Sequence, residues 1–333
     1  MFNHALSNVK TVKSQAPKLG DMIQVITKES SNPSLEDLRI PNAAGALIQE
    51  KAASLWPYKV VAWILERLIK DGSLNLQTKT PVTHLQKVDE RWIVHTARGM
   101  IAAKQVLLCT NAYTSALLPE FSDLIVPVRG EMSALIPPAS MKMKKSVEEG
   151  RLDYSYVFVG HGTQNLEQDD YLVQRLYSTP AKEKTEGGEL MFGGGRSYAA
   201  HAGVGVSDDS SIDEPAAAYL RRELNVVLNL NSKEQELKAR YEWSGVMGYS
   251  RDGHPWVGEV DEALGGGKGL WVSSGYTGHG MPNTWLCGKA VVDLMFGKTK
   301  EVDLPAGFRI TQQRVKKARE LDEVKDADLK AFR

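Results

Sequence analysis

The stretch Gly269–Gly288, read as GLWVSSGYTGHGMPNTWLCG, constrains the fold of this chain more than any other. Leu270–Val272 is a short apolar run of the kind that forms a buried strand. It passes into Gly275-Tyr276-Thr277-Gly278-His279-Gly280. Apolar residues at helical spacing follow: Trp285, Leu286, Ala290, Val291, Leu294 and Met295. The pattern predicts strand, tight turn, helix. Glycines at such a turn let a flat ligand approach the backbone. The helix then points unpaired N–H groups at that ligand, which favours a group that becomes negative during reaction. A second reading is open, in which the glycines only let the helix pack tightly on the sheet. A dinucleotide fingerprint is excluded. Asn283 stands where its third glycine belongs, and no following strand ends in an acidic residue at the usual distance.

Composition narrows the partners. Among 333 residues, 41 basic and 41 acidic side chains cancel, so nothing favours nucleic acid or an anionic membrane. Cys109 and Cys287 both lie in apolar segments, so no disulfide framework and a cytoplasmic, reducing setting are expected. The scattered histidines and two cysteines make no metal-ligand cluster. No apolar run approaches the ~20 residues of a membrane span, and the N-terminus lacks a secretory core.

Along the chain, Met1–Lys18 reads as a helix, and Pro57–Ile69 as a better one with Val60, Val61, Ile64, Leu65 and Leu68 on one side, ended by Gly72. Strands are expected at Leu74–Gln77, Val82–Lys87, Trp92–Thr96 and Gln105–Leu108, with Val88–Arg91 as a hairpin turn. Leu124–Leu135 reads as a strand interrupted at Pro127 and Gly130. Tyr154–Gly160, Tyr171–Leu176, Leu190–Phe192, Tyr241–Tyr249 and Trp256–Val260 are further strands, and Pro215–Leu230 is an amphipathic helix. The charged stretch Thr311–Arg333 reads as a solvated helix. The expected class is α/β (α+β), with interleaved domains. Residues 1–54 form an N-terminal helix and connection, 55–123 with 250–298 a nucleotide-binding-type domain, 124–249 an antiparallel-sheet domain, and 299–333 a charged tail.

Three other stretches carry polar groups at strand ends. Val106–Thr114 is a buried strand opening onto Cys109-Thr110-Asn111-Ala112, suited to a close ligand contact or to a helix cap by Asn111 or Thr114. Arg129, in Pro127–Met132, can bind a carboxylate in bidentate fashion or pair with a nearby acid. Trp243–Gly258 turns at Asp252-Gly253. There Arg251 is open to a ligand role, and His254 before Pro255 reads as structural.

Five blocks occur in order: VLLCTNAYTSALLP at Val106–Pro119, PVRGEM at Pro127–Met132, MFGGGR at Met191–Arg196, WSGVMGYSRDGHPWVGEV at Trp243–Val260 and GLWVSSGYTGHGMPNTWLCGKAVVDLM at Gly269–Met295. Together they resemble the FAD-dependent oxidoreductases of the D-amino acid oxidase and glycine/sarcosine oxidase superfamily, from about Pro41 to Gly297. The glycine-rich turn is most similar to the gamma-glutamylputrescine oxidase type, and the tryptophan-rich wording to fungal members.

The resemblance implies an amine or amino-acid oxidase that removes hydride from a C–N bond, with a small-molecule substrate and non-covalent FAD. It assigns Gly275, Tyr276, Thr277, Gly278, His279, Gly280 and Met281 to the flavin ring and ribityl chain. It assigns Val82 to the adenine, and Thr110, Asn111 and Ala112 to the phosphates and ribityl chain. It places substrate-contacting groups in the region of Arg251. Arg129 and Arg251 are the candidates for a carboxylate clamp, and Tyr171, Tyr249 and Tyr276 for aromatic walls. Relatives that attach flavin covalently near the turn use a cysteine, whereas Val246 and Met247 stand there in this chain. Family members open with a strand–GxGxxG–helix unit and a second glycine-rich flavin segment, neither of which occurs here. The expectation is therefore an incomplete FAD-binding domain, probable truncation, and weakened FAD binding. The alternative is a cofactor-free remnant acting as a small-ligand-binding or scaffold protein.

Overall fold

A computed structural model of the chain describes residues 2–141, 151–160, 169–177, 187–298 and 302–324. The N-terminal third contains α1 (Phe2–Gln15), α2 (Pro17–Gly20), β1 (Ile23–Ile26), β2 (Ala46–Gln49), α3 (Pro57–Lys70), β3 (Val82–Val88), β4 (Arg91–Thr96), β5 (Gly99–Ala103) and β6 (Val106–Leu108). The middle contains α4 (Thr114–Leu117), β7 (Ile125–Leu135), β8 (Tyr156–Val159), β9 (Asp169–Gln174), β10 (Leu190–Gly194) and α5 (Glu214–Val227). The rest contains β11 (Ala239–Ser250), β12 (Trp256–Glu259), β13 (Leu270–Ser274), α6 (Gly280–Met295) and α7 (Gln312–Glu320). The mixed class expected from the sequence is observed.

Two compact units share this chain. The first comprises Met1–Leu68, Glu131–Ala199 and Ile212–Ser244, and the second Ile69–Gly130, Ala200–Ser211 and Gly245–Arg333. The division falls inside α3, inside β7 and inside β11.

The first unit holds a sheet of order β11-β7-β10-β9-β8. β7, β10, β9 and β8 pair antiparallel in turn. Asp213 caps α5, its carboxylate accepting from the Ala216 N–H at 3.3 Å, which satisfies a donor that the helix start leaves open. The helix buries Tyr219, Leu220 and Leu224 in one core with Leu135, Leu172, Leu190 and Phe192.

The second unit holds two three-stranded sheets, β12-β13-β6 and β3-β4-β5. β6 runs parallel to β13, with Val106, Leu107 and Leu108 opposite Leu270, Trp271 and Val272. Phe121, Leu124, Ile125, Trp256, Leu270 and Val272 form its largest core, and the buried side of α6 packs Cys287, Ala290 and Val291 against Val257 and Tyr276.

Several expectations are corrected here. Leu74–Gln77 is not a strand, and Gly99–Ala103, unforeseen, is one. β7 runs unbroken through Pro127 and Gly130. Its partner changes there instead, from the bridge Val128↔Val204 to the β10 ladder that begins at Glu131. The segment after Thr311 is not simply solvated. Its helix buries Arg314 and Ala318 and ends at Glu320, and residues 325–333 lie outside those described.

Helices α3 and α6 keep apolar surface open. α3 buries no residue, although Val60, Val61, Ile64, Leu65 and Leu68 share one side as predicted. On α6, Met281, Trp285 and Val292 are exposed, as is Phe296 at its C-terminal end. At about 100° per residue they form a stripe opposite the buried side. Trp285 and Leu286, expected among the inward apolar set, face outward, and only Ala290, Val291 and partly Leu294 pack inward.

Candidate functional site

Because β6 and β13 are parallel, their carboxyl ends open at the same edge of the sheet. Ligands of α/β sheets bind beyond such ends. The loop after β6 brings Asn111 there, and the loop after β13 brings Gly275–His279.

Asn111 joins the two loops. Its backbone N–H donates to Ser274 Oγ at 3.1 Å, and its side-chain Oδ1 accepts from the N–H groups of Gly275 at 3.0 Å and Tyr276 at 3.3 Å. The Thr277 N–H donates to the Gly248 carbonyl at 2.8 Å, and Thr277 Oγ1 accepts from the Ser250 N–H at 3.0 Å. Three residues of the turn hold positive φ: Gly275 at 79°, Thr277 at 51° and Gly278 at 74°. Threonine rarely adopts this region, so its two bonds to β11 are what hold it.

Helix α6 then starts at Gly280. Its N-cap, His279, makes no side-chain cap; the His279 ring lies 2.7 Å from the Thr277 carbonyl and its N–H donates to the Tyr276 carbonyl at 2.8 Å. The N–H groups of Gly280 and Met281 are the helix-start donors without an acceptor inside the helix. A sixteen-residue helix also places its positive dipole end at this point.

The surroundings are neutral. Tyr276 is buried, and its hydroxyl lies 2.6 Å from Ser273 Oγ. Burial above all, with Cys287 and Cys109 nearby, pushes its ionisation upward. Cys109 is exposed and Cys287 buried, and burial raises the Cys287 thiol, so it is not a thiolate nucleophile near neutral pH. Tyr276 thus packs among buried residues, with its hydroxyl held by Ser273.

A flat heteroaromatic ring whose one edge gains negative charge fits this arrangement. A Cβ at Gly280 would meet nothing closer than 3.6 Å, and α6 offers uncapped donors there. A diphosphate finds no comparable cradle: among the described residues no other glycine-rich turn joins a strand to an α-helix.

The remaining expected positions sit as follows. Thr110 Oγ1 bonds Thr114 Oγ1 at 2.9 Å, and Ala112 is buried. Neither Asn111 nor Thr114 is a side-chain N-cap: the Asn111 side chain is engaged by the glycine turn, and Thr114 is the first residue of α4. Tyr249 is buried beside Gly278, where a Cβ would lie 3.3 Å from its hydroxyl. Val82 opens β3 and is exposed, as is Met281. The Arg129 guanidinium donates to the Asp208 carbonyl at 3.3 Å. Arg251 donates to the carbonyls of Leu321 and Arg319 and lies 3.7 Å from Asp123, so it binds the C-terminal segment. Tyr171 belongs to the first unit and donates to Met132 Sδ at 2.8 Å. Ser250, Gly248 and Ser274 escaped the sequence reading. The signal available for Gly248 was its place among the closely spaced glycines of Trp243–Gly258.

Residues 6–294 match the family DAO, FAD dependent oxidoreductase. Among proteins of similar sequence, Probable oxidoreductase OrdL of Rhizobium meliloti (strain 1021) is 23% identical over 76% of this chain and 50% of its own length. Gamma-glutamylputrescine oxidoreductase of Escherichia coli (strain K12) is 21% identical over 78% of this chain and 52% of its own. The chain thus spans about half the length of these relatives. Among solved structures, glycine oxidase from Geobacillus kaustophilus superposes with a TM-score of 0.62 at 21% identity, over 87% of this chain and 67% of the other. The match over most of the chain establishes that it belongs to the DAO family of FAD-dependent oxidoreductases.

Proposed function

We propose that this chain carries the flavin-ring end of a non-covalent FAD site in an oxidoreductase acting on a small amine or amino acid. The observation that supports it is the turn Gly275–Gly280 leading into the uncapped start of α6. When bound, FAD would accept the hydride equivalent removed from the substrate C–N bond. The chain's own residues have three tasks in this reading. Gly280 and Met281 offer N–H donors to the ring edge that gains charge. Gly275 and Gly278 take up the positive φ that the turn requires, Gly275 packed against Ile125 and Trp256 and Gly278 against Tyr249. Asn111, Thr277 and Ser250 hold the turn in shape. Membership in the family and similarity to glycine oxidase and gamma-glutamylputrescine oxidoreductase support the substrate class.

Among the described residues, the turn Gly275–Gly280 itself brings no carboxylate. Abstraction of hydride from a neutral amine needs none, so the residues present are compatible with that chemistry. The adenosine diphosphate end of FAD must gain its affinity elsewhere than from this turn.

Reconstitution tests the proposal. The purified chain incubated with excess FAD and desalted should retain a flavin absorbance band. Protein that stays colourless over a range of FAD concentrations up to millimolar would instead favour a cofactor-free small-ligand-binding or scaffold role.

A further inference from the structure

We propose that Asn111 is a positioning residue that pre-forms the Gly275–Gly280 turn before any flavin arrives, acting through the turn rather than by touching the ring. The inference deepens the flavin-site reading and rests on it for its functional meaning, while its structural content stands alone.

The turn carries three residues in the left-handed region, and a segment of this kind does not hold itself in one conformation without outside bonds. Two of its backbone donors, Gly275 N–H and Tyr276 N–H, converge on a single acceptor, Asn111 Oδ1. That side chain is itself fixed. Asn111 holds a φ of 45°, its own N–H is bound to Ser274 Oγ, and Gly248 packs so closely that a Cβ there would lie 2.8 Å from Oδ1. Asparagine suits this place twice over. It tolerates the left-handed conformation better than most residues, and it presents a neutral acceptor with two lone pairs, enough for both N–H groups.

The consequence reaches the ligand. With the Gly275 and Tyr276 donors held by Asn111, the Thr277 donor by the Gly248 carbonyl and the His279 donor by the Tyr276 carbonyl, the Gly280 and Met281 donors at the start of α6 are among those left to face a ligand. Asn111 thereby selects which part of the turn a flavin meets. It also removes the cost of ordering the turn at the moment of binding.

Amide exchange measured by NMR on the ligand-free protein tests this. Asn111→Gly removes the acceptor and suits the positive φ, and Asn111→Asp keeps an acceptor in place. In the glycine variant the Gly275 and Tyr276 amides should exchange at least ~10-fold faster, while Val272 in β13 and Val291 in α6 keep their protection. The aspartate variant should restore protection. In parallel, riboflavin affinity should fall about tenfold in Asn111→Gly and recover in Asn111→Asp. Unchanged Gly275 and Tyr276 exchange in Asn111→Gly would overturn the proposal. So would uniform acceleration across the second unit, which would mark a merely structural residue. If riboflavin fails to bind the wild-type chain, the flavin reading fails, while the exchange experiment still decides whether Asn111 holds the turn.

Discussion

Arg314 grips Asp252 with both sides of its guanidinium: Nε lies 2.8 Å from Oδ2 and Nη2 lies 3.0 Å from Oδ1. The same group donates to the Pro255 carbonyl at 3.0 Å and the His254 carbonyl at 2.8 Å, and it lies 3.6 Å from the centre of the Trp256 ring. One side chain thus fastens α7 to the turn between β11 and β12, and Ser250 at the end of β11 bonds both Asp252 and Trp256. Replacing Arg314 by alanine should destabilise the protein by ~3–5 kcal/mol, because the Asp252 carboxylate would stay behind in a half-buried site. Arg314→Lys should recover little of this, since an ammonium cannot reproduce the planar fork. Urea unfolding checks both.

The pH dependence of that loss follows from Asp252. Burial works against its charge, but the Arg314 hydrogen bonds and charge, with those from Ser250 and the His254 N–H, outweigh it and hold the carboxyl below its usual 3.8. A depressed carboxyl stabilises the fold above its unfolded value and stops doing so as pH falls through its folded one. The gap between wild type and Arg314→Ala should therefore be widest near neutrality and shrink below pH ~4. A gap independent of pH between 3 and 7 would contradict the pairing.

Glu223 behaves in the opposite sense. It is 3% exposed on α5, and among the described residues its Oε1 finds no hydrogen-bond partner. Burial first, and the charge of Asp170 second, push its carboxyl up to about 7, against a smaller pull from Arg222. Asp170 itself accepts from the Gly195 N–H and the Tyr219 hydroxyl, each at 2.7 Å. The folded protein then holds the Glu223 proton more tightly than the unfolded chain does, so stability declines as pH rises from about 4.5 to about 7. Glu223→Gln should flatten that decline and gain ~1–3 kcal/mol at pH 8, with little change at pH 4. Thermal melts across that range measure it.

Gly248 supplies a steric test of the site. A Cβ there would lie 2.8 Å from Asn111 Oδ1, 2.9 Å from the Ala112 nitrogen and 3.0 Å from the Asn111 carbonyl carbon. Two of those atoms are backbone and cannot swing away. Gly248→Ala should therefore push the β6 loop from β11 and cost ~1–3 kcal/mol. Gly245→Ala, where a Cβ meets nothing within 4 Å, should cost far less. Equal melting temperatures for the two variants would contradict the close approach.

Much of this site was legible in sequence because its pieces are local. The strand Leu270–Val272, the glycine turn and the helix after it follow one another within a single stretch, and periodicity reports each. The Asn111 contact spans more than 160 positions, and no local pattern distinguishes an asparagine that caps a helix from one that receives two distant N–H groups. Arg251 and Arg314 show the same limit: both are arginines near the Asp252 turn, and only the fold assigns one to the C-terminal carbonyls and the other to the carboxylate. Periodicity also gave α3 and α6 their apolar sides without saying what lies on them. The open stripe of Met281, Trp285, Val292 and Phe296 therefore appears only in three dimensions.

Gly275–Gly280 is proposed to receive the ring end of a flavin. Thermal melting with separated pieces of the dinucleotide tests it most directly. Riboflavin, which has the ring and ribityl chain alone, should raise the melting temperature of the 333-residue chain in a concentration-dependent way, by the equivalent of roughly 2.7 kcal/mol at 100 times its dissociation constant. ADP, which has only the other end, should leave it unchanged. Stabilisation by ADP with none from millimolar riboflavin would place the site elsewhere and contradict the claim.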